Sequence, residues 1–391
     1  MTAGVAAWPN FMGGIYGETR GDVKRVTLVA IAALTLSAGS ATVWAARIRL
    51  LSQETILLQR LVVACLLSLV LVAPVRAESP VACAGQDLIA GLPPAVRAGL
   101  RAAADAVPFP VGNFWRATKD GMQVSMIGTY HLDDPRHAAL MQAAEPALRA
   151  ASVLLVEAGS KEEAELMAHL ARDPSAILAP EGPTLAETLP QAEWQRLAQA
   201  MRDRGIPPFM ASRFRSWYVT MLLSVPPCAL KLAAAGNGLD KRLIARAGEL
   251  RLPVVALEPY DTALKLFDGM DAAAQLAMIR STLALEDQAA DQMATLAATY
   301  FGQDSRMIWE FSRYASQDLP GTTPAEVDAG FAVMEAALMS TRNRGWIPVI
   351  EAAAAKGPVF AAFGALHLSG DAGVLALLQA RGWTIERLPL P

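Results

Sequence analysis

The chain has little of what most often marks a function. It holds only three cysteines and four histidines in 391 residues. There is no Cys-x-x-Cys pair, which removes the common zinc-ribbon and thioredoxin-like readings. There is also no His-Glu-x-x-His, no P-loop and no Gly-x-Ser-x-Gly elbow. Helix-borne zinc peptidases, NTPases and serine hydrolases are therefore disfavoured. A basic excess is missing too. Residues 1–77 carry seven basic and three acidic side chains, so of the net −3 the remaining residues hold −7. With no basic stripe, a nucleic-acid partner is not expected.

Apolar residues are plentiful, with a mean hydropathy of +0.30. Part of the excess lies in two N-terminal runs, 26–46 and 61–75. The second follows Arg60 and precedes Val75-Arg76-Ala77, the form of a secretory signal. Residues 55–77 are read as that signal, with cleavage after Ala77 and a periplasmic or secreted product. Residues 26–46 have the length of a membrane anchor. The alternative is that 1–54 is an over-extended start, since signal peptides do not normally carry a long leader. Removing the signal removes Cys65 and leaves Cys83 and Cys228, an even pair in an oxidising compartment, expected to form a disulfide. A second reading makes Cys65, after Val62-Val63-Ala64, a lipoprotein cysteine.

Residues 78–391 read as one α/β domain: a central mixed sheet flanked by many helices, in two related halves. A helix is expected near 94–106. A hairpin follows, turning at Asp120-Gly121. Asp133-Asp134-Pro135 is expected to cap a helix reaching about 150. An amphipathic helix covers 161–172, and Thr184 and Glu187 form a capping box. Residues 190–250 and 260–345 are mostly helical. Asp371 or Ser369 is expected to cap a helix stopping at Gly382, before a last strand at 384–388.

Four buried-strand patterns carry polar ends. Two finish in Gly-x-x-His, at Gly128-Thr129-Tyr130-His131 and Gly364-Ala365-Leu366-His367. With 28 glycines in the chain, roughly 0.3 of the four histidines should have Gly three places earlier by chance, a low false-positive risk for so short a motif. The other two strands, 152–157 and 252–258, end in Glu157 and Glu258. In parallel sheets functional groups gather beyond the carboxyl ends of strands. Two imidazoles with one or two carboxylates make a plausible divalent-metal set. Gly128 and Gly364 are expected to permit a tight turn and close approach there. His137 and His169 read as surface residues, and Tyr130 as core, with a ligand or acid role as its alternative.

The chain resembles the TraB/GumN family, which is related to the Tiki proteases and grouped with erythromycin-esterase-like and ChaN-like proteins. The resemblance rests on Gly128 to His131, Val156-Glu157, Leu257-Glu258, Arg342-Asn343, and Gly364 to Gly370 followed by Gly373-Val374. It spans roughly 83–390. It implies an α/β fold and a metal-dependent hydrolase of the Tiki type. His131 and His367 would be metal ligands, with Glu157 a third ligand or a general base. Glu157, Glu258, Arg342 and Asn343 would serve catalysis, with Arg342 on a substrate carboxylate or a developing oxyanion. The ion would be Mn, Co, Zn or Fe, and the substrate a peptide or small molecule. The ChaN-like branch implies an alternative, a non-catalytic iron- or haem-binding periplasmic protein with Tyr130 or a His as axial ligand.

Overall fold

The computed structural model describes residues 83–317 and 323–391. The expected signal at 55–77, the run at 26–46 and Cys65 lie outside the described residues.

Strand formation follows the apolar runs. Phe114–Lys119 (β1) and Met122–Thr129 (β2) form the expected hairpin. Both turn residues have positive φ, 49° at Asp120 and 81° at Gly121, the conformation that selects this pair. Val153–Val156 (β3), Val254–Ala256 (β4), Val359–Gly364 (β5) and Thr384–Arg387 (β6) complete one six-stranded sheet, ordered β4-β3-β5-β2-β1-β6. The pairs β2–β5, β5–β3 and β3–β4 are parallel, while β1 runs antiparallel to β2 and β6. The fold is thus mixed α/β, as expected.

The period-two alternation of strands decides the two layers. Along β5, Val359, Ala361 and Phe363 face one side, packing with Trp346, Ile350 and Leu375. Phe360 and Ala362 face the other, packing with Leu140, Leu239 and Leu243. A separate all-helical core, including Leu166, Trp217 and Ile279, lies in the segment between β3 and β4 and just beyond β4.

Register sets the site. Thr129 pairs with Gly364, and Val156 pairs with both Ala362 and Ala256. The four parallel strands therefore end almost level, each followed within three residues by His131, His367, Glu157 or Glu258.

Several helix starts differ from the sequence reading. Asp134 does not cap a helical N–H; its carboxylate accepts from the backbone and guanidinium of Arg136, and the helix begins at His137. The 184–187 capping box forms, but its helix is only Leu185–Thr188, as Pro190 follows. Neither Ser369 nor Asp371 caps the helix Val374–Ala380, which starts after Gly373. His137 is a correction as well: it is 0% exposed. Its ring packs near Tyr130, Tyr300 and Phe301, and its Nε2 hydrogen-bonds Leu132 O at 2.9 Å. Burial lowers its pKa and favours the neutral form. His169 is half-buried beside Tyr260.

Cys83 and Cys228 are joined in a disulfide, with Cα atoms 5.3 Å apart. No single described helix is long and apolar enough to cross a membrane. Ser216–Leu223 and Pro227–Leu250 reach that length only together, bent by 77°, and residues 217–223 are core.

Candidate functional site

Gly128 lets the ends of β2 and β5 meet. A Cβ there would lie 2.8 Å from Ala365 Cα and 2.9 Å from Leu368 Cδ1. Neither Gly128 nor Gly364 has positive φ, so close approach, not a left-handed turn, is what requires glycine. Past these ends the chain turns back as Tyr130-His131 and as the short turn Ala365–His367.

All six residues expected at the site converge. A Cβ built on Gly364 would stand 3.3 Å from Glu157 Oε1, 3.5 Å from His131 Nε2 and 3.6 Å from His367 Cδ2. The two rings are therefore separated by no more than about 7 Å at these atoms. Glu157 Oε1 accepts from the Gly364 N–H at 2.6 Å, and Oε2 accepts from Arg342 Nη2 at 2.6 Å. Arg342 and Asn343 come from the first turn of the helix Thr341–Ala354, which follows a π-helical turn at Ala336–Ser340. Their surface appearance in sequence is misleading: Asn343 is 1% exposed.

Asn343 fixes the first imidazole. Its Nδ2 donates to Ala372 O at 2.8 Å, which turns Oδ1 toward His367 Nδ1 at 2.6 Å. His367 therefore carries its proton on Nδ1 and presents the Nε2 lone pair, which accepts from Arg342 Nη1 at 3.3 Å. Trp346 lies against the ring, centroids 4.4 Å apart. Burial drives the His367 pKa down to about 3, so it stays neutral.

Sequence reasoning missed the partner of the second imidazole. Asp240 Oδ1 lies 3.2 Å from His131 Nδ1. Asp240 sits in the first turn of the helix Leu239–Leu250, whose approach depends on Gly238: a Cβ there would fall 2.3 Å from His131 O. The Gly238-Leu239-Asp240 step at a helix start was the available signal. Burial opposes charge on His131, but Asp240 and then Glu157 raise its pKa.

Arg342 has all five N–H donors committed: Nε and Nη2 to Glu258, Nη2 also to Glu157, Nη1 to Leu338 O and His367. In this arrangement it positions its neighbours with every donor engaged. Burial opposes charge on Glu157, yet Arg342 and the two imidazoles hold its carboxyl down at about 2. Burial pushes Glu258 up, against the pull of Arg342 and of Trp346 Nε1, which donates to it at 2.9 Å.

The sequence profile of the TraB/PrgY/gumN family matches residues 113–387, more than half of the chain and all of these groups. The chain belongs to the TraB/PrgY/gumN family. No curated protein matches it.

In this TraB/PrgY/gumN member the residues that meet, two imidazoles and a carboxylate, are of the types that hold a divalent ion. Both imidazoles have Nδ1 held by an oxygen, the outer contact that aims Nε2 at a metal. Thr129 Oγ1 is buried without a hydrogen-bond partner among the described residues. It lines, with His131, Glu157, Glu163 and Asp240 but not His367, a cavity of about 20 Å³, room for one water. Two carboxylates against one guanidinium leave the centre anionic. Among the described residues no group of three His, Cys, Asp or Glu stands close enough together to hold a metal ion as they are placed. The Arg342 Nη1 contact to His367 Nε2 is what an ion would replace. A haem-ligand role does not fit Tyr130, which stacks on Tyr300 at 5.4 Å and whose phenol burial pushes well above its ordinary pKa.

Proposed function

We propose that this protein is an exported, metal-dependent hydrolase of carbonyl compounds, with peptide bonds the first substrates to test. The observation that carries the reading is the meeting of two imidazoles, each held at Nδ1, with Glu157 around Gly364. His131, His367 and Glu157 would hold the ion. A bound divalent ion supplies a polarised carbonyl and a water acidic enough to attack near neutral pH.

The protein's own groups do the rest. Glu157, held near pKa 2, is too weak a base for proton transfer at neutral pH and suits a ligand role. Glu258 and Arg342 hold Glu157 in place. Asn343 and Asp240 orient the imidazoles. The Tiki resemblance supports a peptidase, and the apolar run ending at Ala77 supports export.

The test is metal analysis and peptide hydrolysis of purified protein alongside His131→Ala, His367→Ala and Glu157→Gln. Each variant is expected to fold, to lose bound metal and to lose hydrolysis. Unchanged metal content in the double His variant would end the metal reading and leave the fold assignment standing.

A further inference from the structure

A second, larger cavity opens beside His131. It has a volume of about 190 Å³ and shares Thr129, His131 and Gly364 with the site. It lies over the carboxyl ends of β2 and β5, where ligands of open α/β sheets bind. Its walls come from the helices Ala289–Phe301 and Ser305–Gln317 and from residues 221–225. Met221, Leu223, Leu285, Met293, Leu296 and Ile308 are among its apolar lining.

Most polar groups on this wall are already used, the Gln292 amide and the Ser312 hydroxyl being further polar groups that line it. The single carboxylate, Glu286, is paired at 2.6 and 3.0 Å with the buried Arg204. Thr282, Ser316 and Ser224 donate to carbonyls of their own segments, at Met278, Ser312 and Met221. Tyr300 donates to Gly128 O at 2.9 Å. Only at the His131 end does the wall offer an uncommitted buried hydroxyl, Thr129 Oγ1. The chamber is therefore amphipathic along its length: apolar body, polar end at the chemistry.

That distribution selects the occupant. A peptide lying in the chamber would bring an N–H and a C=O per residue against a mostly apolar wall with few groups to pair them, an expensive burial. A hydrocarbon chain brings none. We infer that the chamber receives a linear acyl chain of the substrate, with the chain's carbonyl end beside His131 and Thr129. This rests on the hydrolase reading above and narrows it to acyl amides or esters whose acyl group is long.

Binding can be read without turnover. Purified full-length protein is titrated with a fluorescent fatty acid, and saturated fatty acids of C6 to C16 are used as competitors. Saturable binding is expected, tightening about fourfold per methylene until the chamber is filled, the ratio for one buried CH₂. Ala289→Trp and Ala315→Trp fill the chamber from opposite helices, at half-buried positions. Each is expected to weaken binding at least tenfold while keeping the wild-type circular dichroism and melting. Two sites on two helices guard against one variant failing to fold. Asn343→Ala lies outside the chamber and is expected to lose hydrolysis but keep acyl binding, so failed chemistry and a failed chamber are distinguishable. Absence of saturable acyl binding overturns the proposal. So does chain-length-independent binding, or binding that both plugged variants retain, or loss with Asn343→Ala as large as with the plugs.

Discussion

At the scale of single residues, the site is governed by which groups are charged and what holds them. Asn343 touches no reacting atom in the proposed chemistry, yet it holds the His367 proton on Nδ1. Removing such an outer contact ordinarily lowers metal affinity about 10–100-fold. Asn343→Ala should show that loss in a chelator competition, with folding retained; an unchanged affinity would mean the tautomer is set some other way. The same burial has a pH consequence for metal-free protein. His367 is depressed from 6.5 to about 3 and Glu157 from 4.5 to about 2. In both cases the unfolded chain binds protons first, so stability must fall as pH drops. The His367 contribution is intact above pH 6.5 and is lost progressively toward 3, and Glu157 adds its loss below 4.5. Urea midpoints of metal-free protein should fall from about pH 6.5 downward, and His367→Gln should flatten the upper part of that slope. His131, with its raised pKa, contributes a slope of the opposite sign in both proteins, so a pH dependence from 7 to 5 that is unchanged in His367→Gln contradicts a neutral buried His367.

At the scale of elements, glycines decide how close strands and helices come. Gly238 places the N-terminus of Leu239–Leu250 against His131, with Leu239 N donating to Tyr130 O at 2.9 Å. Gly238→Ala puts a methyl 2.3 Å from His131 O, so the helix must shift. Overpacking of this kind costs about 1–3 kcal/mol, and here it should also pull Asp240 off His131. Equilibrium unfolding and metal affinity should both weaken; a neutral substitution would show that the helix does not dock this tightly. The four strand-end groups needed no long-range information to find, because an apolar run closed by Gly-x-x-His or by Glu is local. Asp240 stayed hidden because it lies on a helix start, 109 residues along the chain from His131, and only packing brings them together.

At the scale of the whole molecule, the Cys83–Cys228 bond closes a loop of 145 residues. In the chain-entropy view so long a loop is worth about 5 kcal/mol as an upper guide. Reduction should lower the melting temperature markedly. Two free thiols by mass spectrometry of non-reduced exported protein would rule the bond out. The mature chain is expected to start near Glu78, which N-terminal sequencing of secreted protein checks; a start before Arg49 with membrane retention favours an anchor at 26–46.

The sequence by itself determined the α/β class, the hairpin at Asp120-Gly121, the strand-end residues and the cysteine pair. Each of these is written in nearest neighbours: periodicity, a turn dipeptide, a residue count. Tertiary structure alone decided the level register of β2, β5, β3 and β4, the burial of Arg342 and Asn343, and the bonding of all five Arg342 donors. It also buried His137, which helical spacing put on the surface. Side-chain burial and hydrogen-bond partnership depend on what arrives from elsewhere in the chain, and the apolar chamber beside His131 exists only because two helices and the 221–225 segment meet there.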